Sequence, residues 1–285
     1  MCRLMAYKGT PIVMDNLLYK PKNSLINQSL HAREIEEPLN GDGFGIGWYV
    51  PDVNNEPVTF VSVNPAWSNR NLRNLAPKVK VECMVAHVRA ASVGEVSESN
   101  CHPFQYKNIL MAHNGGIEEF GKVKRKLREP LSDELYNWIK GQTDSEHIFA
   151  YLLNYLFAHH KIITSDAVAD AFEHTFGFIK KLMKEAGITE AAYLNMVITN
   201  GLFIVATRWV SDPREEPLTM YHSEGSRYVV EHGITRLEAP EDDDHAVLVV
   251  SEKLTDGPEW TLVPANHLVI VEQNLNVRIR AIHDR

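Results

Sequence analysis

A cysteine at position 2 becomes the first residue if Met1 is removed, and it then carries its own base. The free α-amine, with an unperturbed pKa of about 7.7–8.0, sits on the same residue as the thiol that must lose a proton. A buried strand thiol would fill position 2 equally well, so three later segments have to bear on it. His87-Val88-Arg89-Ala90-Ala91-Ser92 closes a predicted strand with an arginine able to grip a carboxylate bidentately, and a hydroxyl follows three residues on. A surface salt bridge would account for Arg89 as well. In His113-Asn114-Gly115-Gly116 the Asn114 amide and glycine N–H groups can make an oxyanion hole, although Asn-Gly is also a common turn dipeptide. Asp144, one residue after Thr143, falls in the first turn of a predicted helix. There the macrodipole favours an ionised carboxylate that can hold an ammonium, and plain capping uses the same residues.

Read as one constellation, these residues describe one ligand. Arg89 and Ser92 would hold an α-carboxylate and Asp144 an α-ammonium. Asn114 and Gly115 would take a carbonyl oxygen becoming an oxyanion, and Cys2 would attack that carbonyl. An α-amino acid with a γ-carboxamide is glutamine.

The elements that must position these groups follow from periodicity. Strands are predicted at 3–8, 44–50, 57–63, 81–89 and 109–113, and helices at 24–32 and 68–76. The period then lengthens. Residues 144–160 place Ile148, Phe149, Leu152, Leu153 and Leu156 on one face behind a Thr143-x-x-Glu146 capping box, and 167–186 form a second amphipathic helix. Strands return at 193–199, 202–207, 246–251, 267–271 and 277–280, with Asn200-Gly201 as a hairpin signal. Residues 213–217 and the acidic 238–244 read as exposed loops. Strands, then helices, then strands suggest two packed sheets with helices outside, in one domain over 1–285.

Bulk properties narrow the class. A net charge of −8 argues against nucleic acid as a partner, and the basic run 122–128 reads as the solvated face of a short helix. No apolar run reaches the ~20 residues needed to cross a bilayer, so no membrane partner is expected. The N-terminus has no sustained apolar stretch for a secretory signal, so a cytoplasmic address is the default expectation. Cysteines at 2, 83 and 101 form no disulfide or zinc pattern, and the 13 histidines show no zinc spacing, so no cofactor or metal is expected. The glycines at 41–47 fail G-x-G-x-x-G in both frames and more plausibly let backbone approach a site. Cys101, beside His102, is a rival nucleophile without a supporting motif, and Cys83 reads as core.

In chain order, Met1-Cys2-Arg3, Gly41-Asp42-Gly43-Phe44-Gly45-Ile46-Gly47-Trp48, His87 to Ser92, His113 to Gly116 and Thr143 to Glu146 resemble the class II glutamine amidotransferases. These are N-terminal-nucleophile (Ntn) hydrolases. The resemblance implies an α+β fold, a four-layer αββα sandwich of two mainly antiparallel sheets. It implies a γ-glutamyl thioester on Cys2, oxyanion donors at Asn114 and Gly115, and amino-acid ligands at Arg89, Ser92 and Asp144. Ala90 stands where members fused to a synthase often carry tryptophan, which implies a more open wall. No synthase-like segment follows in this sequence, so the expectation is a stand-alone enzyme acting on glutamine or a γ-glutamyl amide. The alternatives are an ammonia-supplying subunit of a separate synthase, or a silent binding module should Met1 be retained.

Overall fold

The computed structural model describes residues 2–34, 39–91, 94–225, 227–231, 234–238 and 245–284. In the first third of the chain, strand β1 (Arg3–Val13) is followed by helices α1 (Asp15–Leu18) and α2 (Leu25–His31), then β2 (Phe44–Trp48) and β3 (Val58–Ser62). Helix α3 (Arg70–Leu75), β4 (Lys80–Val88), β5 (Phe104–Tyr106) and β6 (Ile109–Gly116) complete it. The middle is helical: α4 (Lys124–Arg128), α5 (Asp133–Trp138), α6 (Asp144–His159) and α7 (Ser165–Ala186). The rest is β7 (Tyr193–Thr199), β8 (Ile204–Arg208), β9 (Tyr221–Glu224), β10 (Arg227–Glu231), β11 (Ile234–Glu238), β12 (Ala246–Val250), β13 (Thr261–Leu262), β14 (His267–Val271) and β15 (Val277–Ala281).

Among the described residues these strands build a seven-stranded sheet, β13-β9-β12-β1-β4-β2-β3, and a six-stranded sheet, β15-β14-β8-β7-β6-β5, with β10 and β11 as a separate ribbon. The pairings are antiparallel. Three cores give the layering. Alternate residues of β1 go to opposite faces: Met5 and Tyr7 meet Leu17, Leu18 and Leu25 of the first helices, while Leu4 and Ala6 meet Val197, Ala206 and Val269 of the other sheet. The far face of the second sheet packs Met111, Leu194 and Met196 against Phe149, Leu153, Phe172 and Phe176 of α6 and α7. Helix, sheet, sheet, helix: this is the four-layer αββα sandwich.

The long helices are held by burial more than by their ends. Val168, Phe172, Phe176, Ile179 and Leu182 of α7 are all buried, at roughly 1.5–3 kcal/mol for each large side chain. The Thr164 cap, whose hydroxyl accepts the Ala167 N–H at 3.2 Å, adds about 1 kcal/mol. In the basic run, Val123 and Leu127 are buried while Lys122, Arg125 and Lys126 face solvent, so it is the solvated helix face expected.

Several expectations need adjustment. β1 extends to Val13 because a register shift between Lys8 and Ile12 lets it keep pairing with β4. The Asn200-Gly201 turn is wider than a two-residue hairpin, since Thr199 pairs with Ile204. Thr199 Oγ1 donates to Phe203 O and accepts from Gly201 N, which closes the longer loop. The capping box is half made. Thr143 Oγ1 accepts the Glu146 N–H at 3.4 Å, but the Glu146 carboxylate takes Lys140 and Gly141 N–H at 2.8 and 2.6 Å. Of the acidic loop, 239–244 lies outside the described residues, as do Met1 and Ser92.

Candidate active site

Register brings the ends of β1 and β4 together. Arg3 pairs with Val88, so Cys2 and Arg89 continue side by side off neighbouring strands. The Cys2 thiol is half-buried and donates to Ala90 O at 3.4 Å. Burial pushes this thiol above its ordinary pKa, against the lowering effect of that hydrogen bond and of Arg89 and Arg3.

Arg89 is buried and fixed from both sides. Its N–H donates to Gly43 O at 2.9 Å, its carbonyl accepts Asp42 N–H at 3.0 Å, and its Nη1 donates to Glu95 O at 3.2 Å. The glycine run explains how β2 comes this close. Gly43 has φ +112°, and a Cβ there would sit 2.7 Å from Cys101 Sγ; one on Gly45 would collide with His102 O.

The second sheet supplies the facing wall. Asn114 is 0% exposed, and neither its Nδ2 nor its Oδ1 has a hydrogen-bond partner among the described residues. Such a buried amide costs about 1–3 kcal/mol unless something binds it. Gly115 has φ +133°, and a Cβ there would strike the Tyr193 carbonyl, so only glycine fits. Asp144, buried at the start of α6, accepts Ile117 N–H and Ser145 N–H at 2.8 Å each, tying the helix to the end of β6.

Cys2, Arg89, Gly115 and Asp144 line one cavity together with Asn100, His102, His113 and Ser145. Its volume is about 30 Å³, the liquid share of roughly one water. A larger open groove of about 1150 Å³ lies between Glu224, His245 and the turn joining β14 to β15, and shares no lining residue with the cavity.

Cys101 is buried, with its Sγ 3.6 Å from Ser62 O and 3.5 Å from Ser97 O, and burial pushes it up to about 11. It is poorly placed to act as a nucleophile. Cys83 packs with Tyr49 and Leu110 as core. No group of three or more metal-ligating side chains occurs among the described residues.

Sequence reasoning missed the polar scaffold around the cavity. Arg3, the residue after Cys2, and Glu252, each 1% exposed, approach to 3.4 Å. Glu252 also accepts from Asn23 Nδ2 and from the backbone N–H of Arg33. His87, His102 and His113 are all buried and hydrogen-bonded to one another's backbone or ring. His87 and His113 stand in the quoted motifs, but nothing in their spacing signals this contact.

Residues 16–282 match the family of glutamine amidotransferases class-II. The chain is 37% identical to the probable glutamine amidotransferase DUG3 of Saccharomyces cerevisiae, over 96% of this chain and 82% of that protein. It is 26% identical to a gamma-glutamyl-hercynylcysteine sulfoxide hydrolase of Mycobacterium tuberculosis, over 96% and 94%. Among solved structures, a glutamine aminotransferase class-II domain protein from Silicibacter pomeroyi superposes with a TM-score of 0.69 at 24% identity, covering 100% of both chains. Glutamine phosphoribosylpyrophosphate amidotransferase from B. subtilis gives 0.60 at 16% identity, over 99% of this chain and 49% of its own. The fold is thus that of the N-terminal-nucleophile amidotransferases, and the chain belongs to the class II glutamine amidotransferases, enzymes that act on amide bonds.

Proposed function

We propose that the protein cleaves the γ-amide of glutamine or of a γ-glutamyl compound through a γ-glutamyl thioester on Cys2. The observation that carries this reading is the convergence of Cys2, Arg89, Gly115 and Asp144 on one cavity beside the unpartnered amide of Asn114. With Met1 removed, the α-amine of Cys2 takes the thiol proton as sulfur attacks the γ-carbonyl. Asn114 Nδ2 and the Gly115 N–H hold the oxyanion. The ammonium then returns its proton to the leaving nitrogen, the C–N bond breaks, and the amine departs. Water, deprotonated by the same amine, adds to the thioester; the C–S bond breaks and glutamate leaves. Arg89 and Ser92 hold the α-carboxylate, and Asp144 holds the α-ammonium.

Hydrolysis with a leaving amine larger than ammonia is favoured by the near full-length similarity to an enzyme named as a γ-glutamyl hydrolase. The substrate is a small molecule, and no synthase is needed to complete the reaction. The test is glutamate release from a panel of γ-glutamyl amides by protein whose N-terminus has been checked by intact mass. Cys2→Ala protein should release none. Unchanged turnover in that variant, or full turnover with Met1 still attached, would sink the reading.

A further inference from the structure

His87 on β4, His113 on β6 and His102 in the bend before β5 meet in one buried cluster, of which His102 and His113 line the cavity, and their hydrogen bonds fix where the protons lie. His102 Nδ1 is 3.0 Å from His87 Nε2 and 3.4 Å from the His113 N–H, which can only donate. His87 Nε2 is in turn 3.1 Å from His113 O, which can only accept. One arrangement satisfies all three contacts: His87 carries its proton on Nε2, shared between His113 O and His102 Nδ1, and His102 Nδ1 is bare. The reverse arrangement would set N–H against N–H and lone pair against carbonyl. Burial keeps both rings uncharged, His87 down to about 3 and His102 well below its ordinary value. A neutral His102 with a bare Nδ1 carries its proton on Nε2.

That Nε2–H has no partner among the described residues, although His102 is only 5% exposed and lines the cavity with Cys2. The neighbouring contacts show which end of the cavity it serves. Glu95 O accepts both Arg89 Nη1, at 3.2 Å, and the side-chain Nδ2 of Asn100, two residues before His102, at 2.8 Å. Asn100 Oδ1 also accepts the Gln142 N–H at 2.9 Å, so the segment spans from the Glu95 loop to the start of α6. The acceptor it shares with Arg89, and the Arg89 charge that helps hold the His102 ring neutral, set His102 beside the guanidinium. A neutral donor beside an arginine adds a hydrogen bond to a bound carboxylate without adding a second charge to repel the first.

We propose that His102 is a further substrate-binding residue, donating its Nε2–H to the α-carboxylate that Arg89 holds. The inference rests on the γ-glutamyl reading above and adds to it a residue that sets selectivity for an α-carboxylate. His102→Asn keeps an acceptor near the Nδ1 position and deletes the ε donor; His102→Gln supplies an ε N–H and deletes the acceptor.

The experiment measures kcat and KM for L-glutamine and a γ-glutamyl anilide, with the thermal midpoint of each variant. His102→Asn should raise KM about 10- to 100-fold, with kcat within about threefold and the midpoint retained. His102→Gln should recover most of the KM while its midpoint falls. An unchanged KM in His102→Asn overturns the proposal, as does a loss confined to kcat. Equal damage in both variants alongside a fallen midpoint also overturns it, since that is a purely structural role. Histidine ¹⁵N NMR reads the tautomer independently of turnover: a bare Nδ1 on His102 is expected, and a protonated one overturns the proposal. If wild-type protein releases no glutamate, the functional reading falls and this contact with it; if it does, and His102→Asn keeps its KM, this inference alone falls.

Discussion

The two sheets hold their halves of the cavity by different means. On the seven-stranded sheet, Cys2 and Arg89 are set by backbone register and by close approach: Arg3 opposite Val88, Arg89 clipped to Gly43 and Asp42, and glycines where side chains would collide. On the six-stranded sheet, Asn114 and Gly115 stand on a strand gripped by buried side chains, with His87 and His102 on one side and Asp144 on Ile117 at its end. Reactive groups at chain ends and loop starts need only a few backbone bonds. The oxyanion hole proposed for Asn114 and Gly115 needs its donors immobile before charge develops, and side-chain networks supply that rigidity to the strand.

The largest difference should come from removing one key group on each side. Cys2→Ala should lower glutamate release roughly 10⁴-fold or more, and Asn114→Ala about 10²–10³-fold. Circular dichroism and thermal midpoints near wild type in both would show that chemistry alone was lost. Comparable residual activity in the Cys2 variant would erase the distinction between nucleophile and support.

Next comes the buried pair of Arg3, the residue after Cys2, and Glu252. Glu252→Ala leaves Arg3 charged and buried, and should cost about 3–5 kcal/mol in urea unfolding, since removing one partner of a buried pair is expensive. Glu252→Gln keeps the acceptor for Asn23 and should cost less. Equal losses in the two would show that the charge is immaterial.

Gly115→Ala should follow, at about 1–3 kcal/mol for the strained backbone, with activity lost by more than stability because the Gly115 N–H would turn away from its place. A variant as stable and active as wild type would contradict the rigidity argued for the second sheet.

The last difference is a pH dependence of stability on the histidine side, read as a slope rather than a loss. His87 is held neutral by burial with its folded pKa lowered to about 3. The unfolded chain therefore binds the extra proton first. The contribution to stability is fully present above about pH 6.5 and is lost as pH falls toward about 3, by at most about 1.4 kcal/mol per unit. His87→Asn should flatten that slope in acid urea titrations. The Cys2 side runs on activity instead: a thiol raised by burial and an α-amine near 8 make kcat/KM rise with pH through neutrality. A profile flat from pH 6 to 9 would break that expectation.

Much of the fold was legible because burial patterns repeat locally. The alternation of β1 and the apolar stripe of α6 each reflect one element's own geometry, and both sit where periodicity put them. Short elements were missed: α1, α5, β9 and β13 span only two to six residues each, too few to show a period. The capping box misled because Glu146 has a choice of N–H partners that only the folded loop at Lys140 and Gly141 decides.

By itself the sequence determined the candidate groups: a thiol one residue from the start, an arginine and an Asn-Gly step at strand ends, and a carboxylate in a helix's first turn. Those follow from residue type and near-neighbour spacing. Only the tertiary structure decided that they share a cavity, that Cys101 is enclosed, that Glu252 meets the neighbouring Arg3, and that His102 Nε2 is buried without a partner among the described residues. These are contacts between residues tens to hundreds of positions apart, such as Arg3 with Glu252. Packing of one sheet on the other selects them, and no local period encodes it.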